Sequence, residues 1–329
     1  MLEATIQGHA ASVGKPLFIQ EVGTRDGFQS ESRFIPTADK IALVDALSLC
    51  GLAKIEVTSF TSPKAIPALA DADEVLRGIR RQPGVVYTSL VPNLKGAERA
   101  IAAGTDELNL TMSTSETHNL LNLRMTREQS VARLLEVVEL AKTSGVALNV
   151  SLSTCFGCPM EGDVPEAVVF GFAERFLARG VAGISICDTT GMANPSQVLT
   201  LCRHFRERFP EAQVTLHLHN TRGMGLVNVL AGLEAGVDRF DASLGGIGGC
   251  PYAPGATGNV CTEDLVHMLQ AMGHSVDVNL SRLLAAARTL PGLLGHDVPG
   301  QVVHAGLSSE LHPVPPSLEE TRARALAQG

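Results

Sequence analysis

The sequence predicts a (β/α)₈ TIM barrel with a short C-terminal helical and loop extension, and three observations support this fold. Apolar, β-rich runs alternate with helical patterns in eight successive units of the 329-residue chain. Glycines such as Gly104 and Gly145 close several of the helical patterns. Polar and ionisable residues follow nearly every apolar run, as in a closed barrel that presents all its strand ends at one mouth. A doubly wound open sheet is the alternative, and it would gather such residues at one switch point.

The eight predicted units follow one another from residue 17 to residue 274. The predicted strands are, in order, LFI with Val22, KIEVTSF, VVYTSLVPN, DELNLTM, ALNVSLST, GISICD, VTLHLHN and RFDASLG. A helical pattern follows each strand, and a polar insert separates the fourth strand from its helix. Residues 1–16 are interpreted as an N-terminal leader and 17–274 as the catalytic barrel. Residues 275–329 are interpreted as an extension packed on or near the barrel, with an end that is a candidate for disorder.

Composition excludes several classes of partner. Hydrophobic residues make up 45% of the chain and charged residues 18%, which is enough apolar material for a large aliphatic core. The net charge is −8 and the basic residues are scattered, so the sequence has no electrostatic footprint for nucleic acid. No apolar run approaches the roughly 20 residues that span a bilayer. We therefore expect a cytoplasmic protein that binds neither nucleic acid nor a membrane.

A glycine-rich loop follows the eighth predicted strand. It holds six glycines and two prolines between Gly245 and Gly258, which favours backbone conformations unsuited to regular structure. Cys250 lies near its centre and Asn259 at its exit. We interpret Cys250 as a proton donor or acceptor that arrives when the loop closes, although a free cysteine is more often a small apolar residue.

Two histidines predict half of a metal site. His217 and His219 are two residues apart in the seventh strand, so both side chains share one face. If that face is the lumen, they can bind a cation; if it is the helix side, they are ordinary hydrogen-bonded histidines. Strands one, seven and eight are neighbours in a closed barrel, which brings Asp26 and Asn259 to the same place. Nitrogen and oxygen donors without a thiolate favour Mg²⁺ or Mn²⁺, with Zn²⁺ as an alternative.

Three further charged residues are candidates for catalysis. Arg25 adjoins Asp26, and its guanidinium suits a developing enolate or a carboxylate. An ion pair with Glu21 or Glu56 is the competing interpretation of Arg25. Glu56 and Asp188 end predicted strands, where a buried carboxylate needs a partner, so each is either a catalyst or a residue that orients one.

The motifs that carry these residues resemble those of the 3-hydroxy-3-methylglutaryl-CoA lyase family, a group of metal-dependent TIM-barrel acyl-CoA lyases. The resemblance extends from about Phe18 to Gly273. Its most specific parts are EVGTRDGFQSE, SFTSPKAIPALAD, FGCPMEG, CDTTG, HLHN and GGCPYAPGATGNVCTEDL. Isopropylmalate and homocitrate synthases share the Arg-Asp pair and the HxH motif, but they have a different glycine loop and usually a regulatory domain.

The resemblance implies a retro-Claisen reaction that cleaves 3-hydroxy-3-methylglutaryl-CoA into acetyl-CoA and acetoacetate. It implies an acyl-CoA substrate, and we expect a homo-oligomer, namely a dimer. The implied ligands of the divalent cation are Asp26, His217, His219 and Asn259.

The resemblance also implies roles in the chemical steps. Arg25 would stabilise the thioester enolate, and Cys250 would take part in proton transfer. Glu56 and Asp188 fall on acidic positions of the family. A general base removes the proton from the C3 hydroxyl of the substrate. We expect His217 to be this base, and Asp26 is the second candidate.

Departures from the family pattern concern the acyl group. The chain has RDGFQSE and HLHNTRG where the family has RDGLQNE and HCHDTYG, and it has Asn149 where the family tends to carry an arginine. A related 3-hydroxyacyl-CoA, such as a citramalyl-CoA-like thioester, is therefore an alternative substrate. A Claisen-type synthase that joins acetyl-CoA to a 2-oxo acid is a further alternative.

Overall fold

Eight parallel strands close into a barrel in the order of the chain, with helices between them. The computed structural model describes residues 15–249 and 258–328. The first strand pairs with the second and with the eighth, which completes the ring. The predicted (β/α)₈ barrel is thereby confirmed, with all eight predicted strands present. The strands are β1 Phe18–Glu21, β2 Lys54–Ser59, β3 Val86–Val91, β4 Glu107–Ser113, β5 Ala147–Ser153, β6 Gly183–Asp188, β7 Gln213–Leu218 and β8 Arg239–Ala242.

The helices form the outer layer of the barrel. Those between the strands are Thr37–Ser48, Ala72–Gly78, Leu94–Ala103, Glu116–Leu123, Arg127–Ser144, Glu166–Leu177, Pro195–Arg208 and Gly225–Glu234. After β8 come Thr262–Ala271, Leu280–Ala287, Leu290–Leu294, Val302–Ala305 and Leu318–Ala327. None of the helices in the described ranges is both long enough and apolar enough to cross a membrane.

The alternation of side chains along each strand separates an apolar layer from a polar lumen. In β7, Val214 and Leu216 are buried among the core residues, whereas Thr215 and His217 belong to the opposite face. Thr215 accepts a hydrogen bond from Gln20 Nε2 on β1 at 3.3 Å, across the barrel interior. The aliphatic core therefore lies between sheet and helices, and the lumen is left to polar groups.

The polar insert after β4 contains a helix that the sequence did not predict, Glu116–Leu123. The Ser115 side chain caps it by accepting a hydrogen bond from His118 N at 3.1 Å. Leu120 and Leu121 are exposed, so the helix lacks the buried apolar stripe that reveals a helix in a sequence. Asn119 ties it to the next helix through Ser130 Oγ at 2.8 Å.

The segment that follows the barrel passes close to the carboxyl-terminal end of the barrel strands. Gly300 N donates to Gly245 O at 3.0 Å, so this segment touches the entry of the glycine-rich loop. Helix Leu318–Ala327 has no buried residue. The division into leader, barrel domain and extension stays a prediction.

Candidate active site

A π-helical turn, Gly23–Gly27, follows β1 and carries Arg25 and Asp26. Asp26 N donates to Val22 O at 2.7 Å, which anchors the turn to the strand. Gly27 faces the glycine-rich loop so closely that a Cβ there would lie 2.5 Å from Ile247. Such turns are rare and are frequently found at functional sites. The turn aims Arg25 and Asp26 together into the mouth.

Asp26, His217 and His219 form the candidate metal centre. One potential ligand atom from each lies within 4.8 Å of the others. Asp26 Oδ2 is 3.9 Å from Nε2 of each histidine, and the two Nε2 atoms are 3.2 Å apart. Both imidazoles thus face the lumen. Two imidazole nitrogens and a carboxylate are donors that divalent cations accept, so the cluster fits a divalent cation on its chemistry.

Asn259 reaches this cluster from the exit of the glycine-rich loop. It forms an antiparallel bridge with His219, and the next residue donates from Val260 N to Leu218 O at 3.0 Å. Its Nδ2 donates to Asp26 Oδ2 at 2.7 Å and to Ile247 O at 3.2 Å. The loop exit is therefore attached to the end of β7 through an isolated β-bridge, with its side-chain amide against the cluster.

Asp241 on β8 is a site residue that the sequence analysis missed. It is the register partner of His217, and its Oδ2 lies 3.1 Å from His217 Nδ1. This contact holds the ring with Nε2 toward Asp26, as carboxylates do for metal-binding histidines. Its position between the core residues Phe240 and Ala242 signals a lumen-facing side chain.

Charges around the cluster shift its titration. Burial lowers the pKa of His217, but the hydrogen bond and charge of Asp241 and the charge of Asp26 outweigh it, so that the pKa is raised. Burial raises the pKa of Asp26, yet Arg25 and the two histidines bring it down to about 2. Asp26 is therefore an anion at neutral pH.

Arg25 is fixed between two carboxylates. Its Nη1 donates to Asp26 Oδ1 at 2.5 Å, and its Nε donates to Glu56 Oε2. Glu56 Oε1 in turn accepts from Asn109 Nδ2 at 2.7 Å. Burial raises the pKa of Glu56 more than Arg25 and Asn109 lower it. The pairing with Glu56 thus exists, and the same contact holds the guanidinium beside the candidate metal centre.

Asp188 lies at the end of β6, and its carboxylate accepts hydrogen bonds from the loop that follows this strand. Its two oxygens accept from Met192 N at 2.8 Å and Ala193 N at 3.1 Å. Burial raises its pKa to about 6 despite these bonds. Asp188 is not part of the three-residue cluster within the described chain.

A neutral network occupies the lumen beside Arg25 and Glu56. Asn149 Nδ2 donates to Asn109 Oδ1 and to Ser185 Oγ, both at 2.9 Å. Ser151 Oγ donates to the same Asn109 oxygen at 2.9 Å. The position where the family tends to carry an arginine is thus filled by an amide within hydrogen-bonded neutral groups.

Cys250 lies outside the residues that the structure describes. The described ends of its loop touch one another, since a Cβ on Gly258 would lie 1.8 Å from Gly246 O. A Cβ on Gly248 would lie 2.8 Å from Asn259 Nδ2. Only glycine permits these approaches, which explains part of the glycine content.

The fold and this cluster define a TIM-barrel protein with a candidate cation site at its carboxyl-terminal mouth. The family model described as HMGL-like matches residues 17–290. The chain belongs to this family, that of the hydroxymethylglutaryl-CoA lyases, which are carbon–carbon lyases. The resemblance noted in the sequence is thereby confirmed.

Individual relatives cover nearly the whole chain. Hydroxymethylglutaryl-CoA lyase YngG of Bacillus subtilis is 44% identical over 295 residues, which are 90% of this chain and 99% of that protein. The human mitochondrial hydroxymethylglutaryl-CoA lyase is 38% identical, covering 92% and 94%. An HMG-CoA lyase from Acinetobacter baumannii, solved with coenzyme A and 3-methylmalate, has a TM-score of 0.88 and 50% identity, covering 93% and 99%.

Proposed function

We propose that this protein cleaves 3-hydroxy-3-methylglutaryl-CoA into acetyl-CoA and acetoacetate in a cation-dependent retro-Claisen reaction. The observation that supports it most is the meeting of Asp26, His217 and His219 beside Arg25, in a chain 44% identical to a hydroxymethylglutaryl-CoA lyase. We further propose that the protein is a cytoplasmic homodimer.

Asp26, His217, His219 and Asn259 would hold the cation. The mixed nitrogen and oxygen donors favour Mg²⁺ or Mn²⁺, with Zn²⁺ as an alternative. When bound, the cation supplies Lewis-acid polarisation of the substrate oxygens. Asn259 now turns its Nδ2 toward Asp26, so its ligand atom would be Oδ1 after the amide rotates.

Arg25 would stabilise the enolate that forms when the C2–C3 bond breaks. The bonds to Asp26 and Glu56 fix the guanidinium before the substrate arrives. A charge placed in advance stabilises a developing oxyanion without reorganisation during the reaction. Glu56 acts in this scheme by positioning Arg25, and Asn109 by positioning Glu56.

Two proton transfers complete the reaction. A base removes the C3 hydroxyl proton, with His217 as the first candidate and Asp26 as the second. Cys250 would return a proton to the acetyl-CoA enolate. We assign Asp188 to the shaping of the loop after β6, on its bonds to Met192 and Ala193.

A shorter or differently branched 3-hydroxyacyl-CoA is the alternative substrate. The relative from Acinetobacter baumannii was solved with 3-methylmalate beside coenzyme A. The neutral network around Asn149 also differs from the arginine expected for the family. Both observations favour testing citramalyl-CoA-like and methylmalyl-CoA-like thioesters beside the parent substrate.

The test is acetyl-CoA release from a panel of 3-hydroxyacyl-CoA thioesters. We expect release from 3-hydroxy-3-methylglutaryl-CoA, its loss after thorough treatment with EDTA, and its return with Mg²⁺ or Mn²⁺. Release that survives complete metal removal would disprove the cation-dependent reaction. Free CoA appearing from acetyl-CoA only with a 2-oxo acid would identify a synthase instead.

A further inference from the structure

Glu21, the last residue of β1, joins three segments of the barrel mouth through one carboxylate. Oε1 accepts hydrogen bonds from Gly23 N at 2.7 Å and from Leu244 N at 2.8 Å. Oε2 accepts from Thr262 Oγ1 at 2.7 Å. The side chain is completely buried. In the part of the chain that the structure describes, this one carboxylate therefore accepts from donors of all three segments.

Each of the three segments carries part of the candidate active site. Gly23 opens the π-helical turn that bears Arg25 and Asp26. Leu244 opens the glycine-rich loop, and Thr262 follows Asn259 by three residues at the start of the next helix. Ser243 and Cys261 also form a parallel bridge, which joins the two ends of the loop.

We propose that Glu21 is a positioning residue that holds the turn bearing Asp26 in register with the loop ends that bear Asn259. The cation ligands contributed by the two segments then lie together before the cation binds. The link to catalysis rests on the proposed function, whereas the effect on cation binding does not require it.

A buried carboxylate at this position carries a desolvation cost. Within the described part of the chain Glu21 forms no ion pair, and the nearby Glu263 is another buried carboxylate. Burial raises the pKa of Glu21 to about 7, and the charge of Glu263 adds to this. An apolar side chain would avoid this desolvation. The acceptor geometry, by contrast, requires a group with oxygen atoms at this position.

Glu263 repeats the arrangement on the other side of the loop base. Both of its oxygens accept from Gly245 N, at 3.1 and 3.0 Å. Two successive amides of the loop entry, Leu244 N and Gly245 N, are thus held by two buried carboxylates. The start of the glycine-rich loop is therefore held by Glu21 from the first strand and by Glu263 from the helix after the last strand.

A graded set of variants separates positioning from stability. Glu21→Gln keeps an oxygen for the two amides and places an NH₂ where Thr262 Oγ1 can accept from it. Glu21→Ala removes all three bonds. Thr262→Val removes only the hydroxyl donor. The matched control is Thr37→Val, which removes a hydroxyl bond of 2.8 Å to Asp71 on the outside of the barrel.

The experiment measures the Kd for Mn²⁺ by calorimetry on the folded proteins, with kcat, KM and thermal midpoint on the same samples. We expect Glu21→Ala to raise the Kd about 10-fold to 100-fold and to lower kcat similarly. Thr262→Val should raise the Kd about threefold to tenfold, as expected for one hydrogen bond. Glu21→Gln should stay within about threefold of the parent Kd. Thr37→Val should lower the midpoint without changing the Kd.

Two results would overturn the proposal. One is a Glu21→Ala protein that binds Mn²⁺ like the parent while only its thermal midpoint falls. The other is a Thr262→Val protein whose Kd for Mn²⁺ equals that of the parent. This second result decides the question if Glu21→Ala does not fold. A parent protein that binds Mn²⁺ but cleaves none of the thioesters would refute the proposed function alone, because the Kd comparison still tests Glu21.

Discussion

Asp241 Oδ2 lies 3.1 Å from His217 Nδ1, across the paired strands β7 and β8. The contact fixes which nitrogen of His217 faces Asp26, and His217 Nε2 thereby becomes the atom that faces the candidate metal centre. One strand provides the imidazole and the next provides the group that orients it. The orientation is thus a property of the paired barrel strands.

Replacing Asp241 with asparagine should weaken cation binding. An amide no longer stabilises one tautomer of the ring, so Nε2 is less often available. We expect the Kd for Mn²⁺ to rise about 10-fold to 100-fold, measured by calorimetry. Asp238→Asn, at a more exposed position before the same strand, is the matched control. An Asp241→Asn protein with the parent affinity would show that the contact does not orient His217.

Replacing Arg25 with lysine should reduce turnover more than substrate binding. Lysine keeps the positive charge, but it lacks the planar guanidinium that donates hydrogen bonds to Asp26 and Glu56 at the same time. We expect kcat to fall about 100-fold or more, in the range of a lost oxyanion donor, with a smaller change in KM. Arg80→Lys, an exposed partner of Asp45, controls for the substitution itself. A kcat within the error of the parent would remove Arg25 from the reaction.

Cys250→Ser should separate cation binding from turnover. We expect it to bind Mn²⁺ like the parent but to lose most of its kcat, because a hydroxyl is a poorer proton donor than a thiol. His217→Ala should lose both properties. The six other cysteines are buried, so Cys202→Ser serves as a thiol control away from the mouth. Normal turnover in Cys250→Ser would mark the thiol as a packing residue.

Glu21 should make the protein less stable as pH rises. Its pKa is raised from 4.5 to about 7 in the folded protein, so folding favours the protonated carboxyl. That contribution is complete below about pH 4.5 and is lost as pH rises through about 7. The groups that contribute to this titration are Glu263, whose charge raises the pKa, and Cys50, whose own pKa Glu21 raises.

The measurement compares urea unfolding of the parent and of Glu21→Gln between pH 4.5 and 8. We expect the parent to lose stability relative to the variant by up to about 3 kcal/mol over this range. A difference that stays constant with pH would show that Glu21 does not titrate in this window.

The sequence predicts the parts of the site that depend on local patterns. The spacing of His217 and His219 determined that both face one side, and the order of strands brought Asp26 near them. The orienting role of Asp241 depends on the register of β7 against β8, which no local pattern contains. Helix Glu116–Leu123 was missed because two of its three leucines, Leu120 and Leu121, face solvent rather than the core.

The role of Glu21 was missed for a similar reason. Its three partners lie at positions 23, 244 and 262, and they meet only when β1 and β8 pair. In the sequence, Glu21 is one acid after an apolar run. That Glu21 forms no ion pair with another described residue becomes apparent only in the folded structure.

The pairing of β1 with β8 has a consequence for folding. Asp26 and Asn259 are 233 positions apart, and they touch only after the ring has closed. A nascent or truncated chain without β7 and β8 holds just one of the proposed ligands. Affinity for the cation therefore arises at the end of folding, and binding selectively stabilises chains whose ends have joined. Cation uptake during refolding would report the closure of the barrel itself.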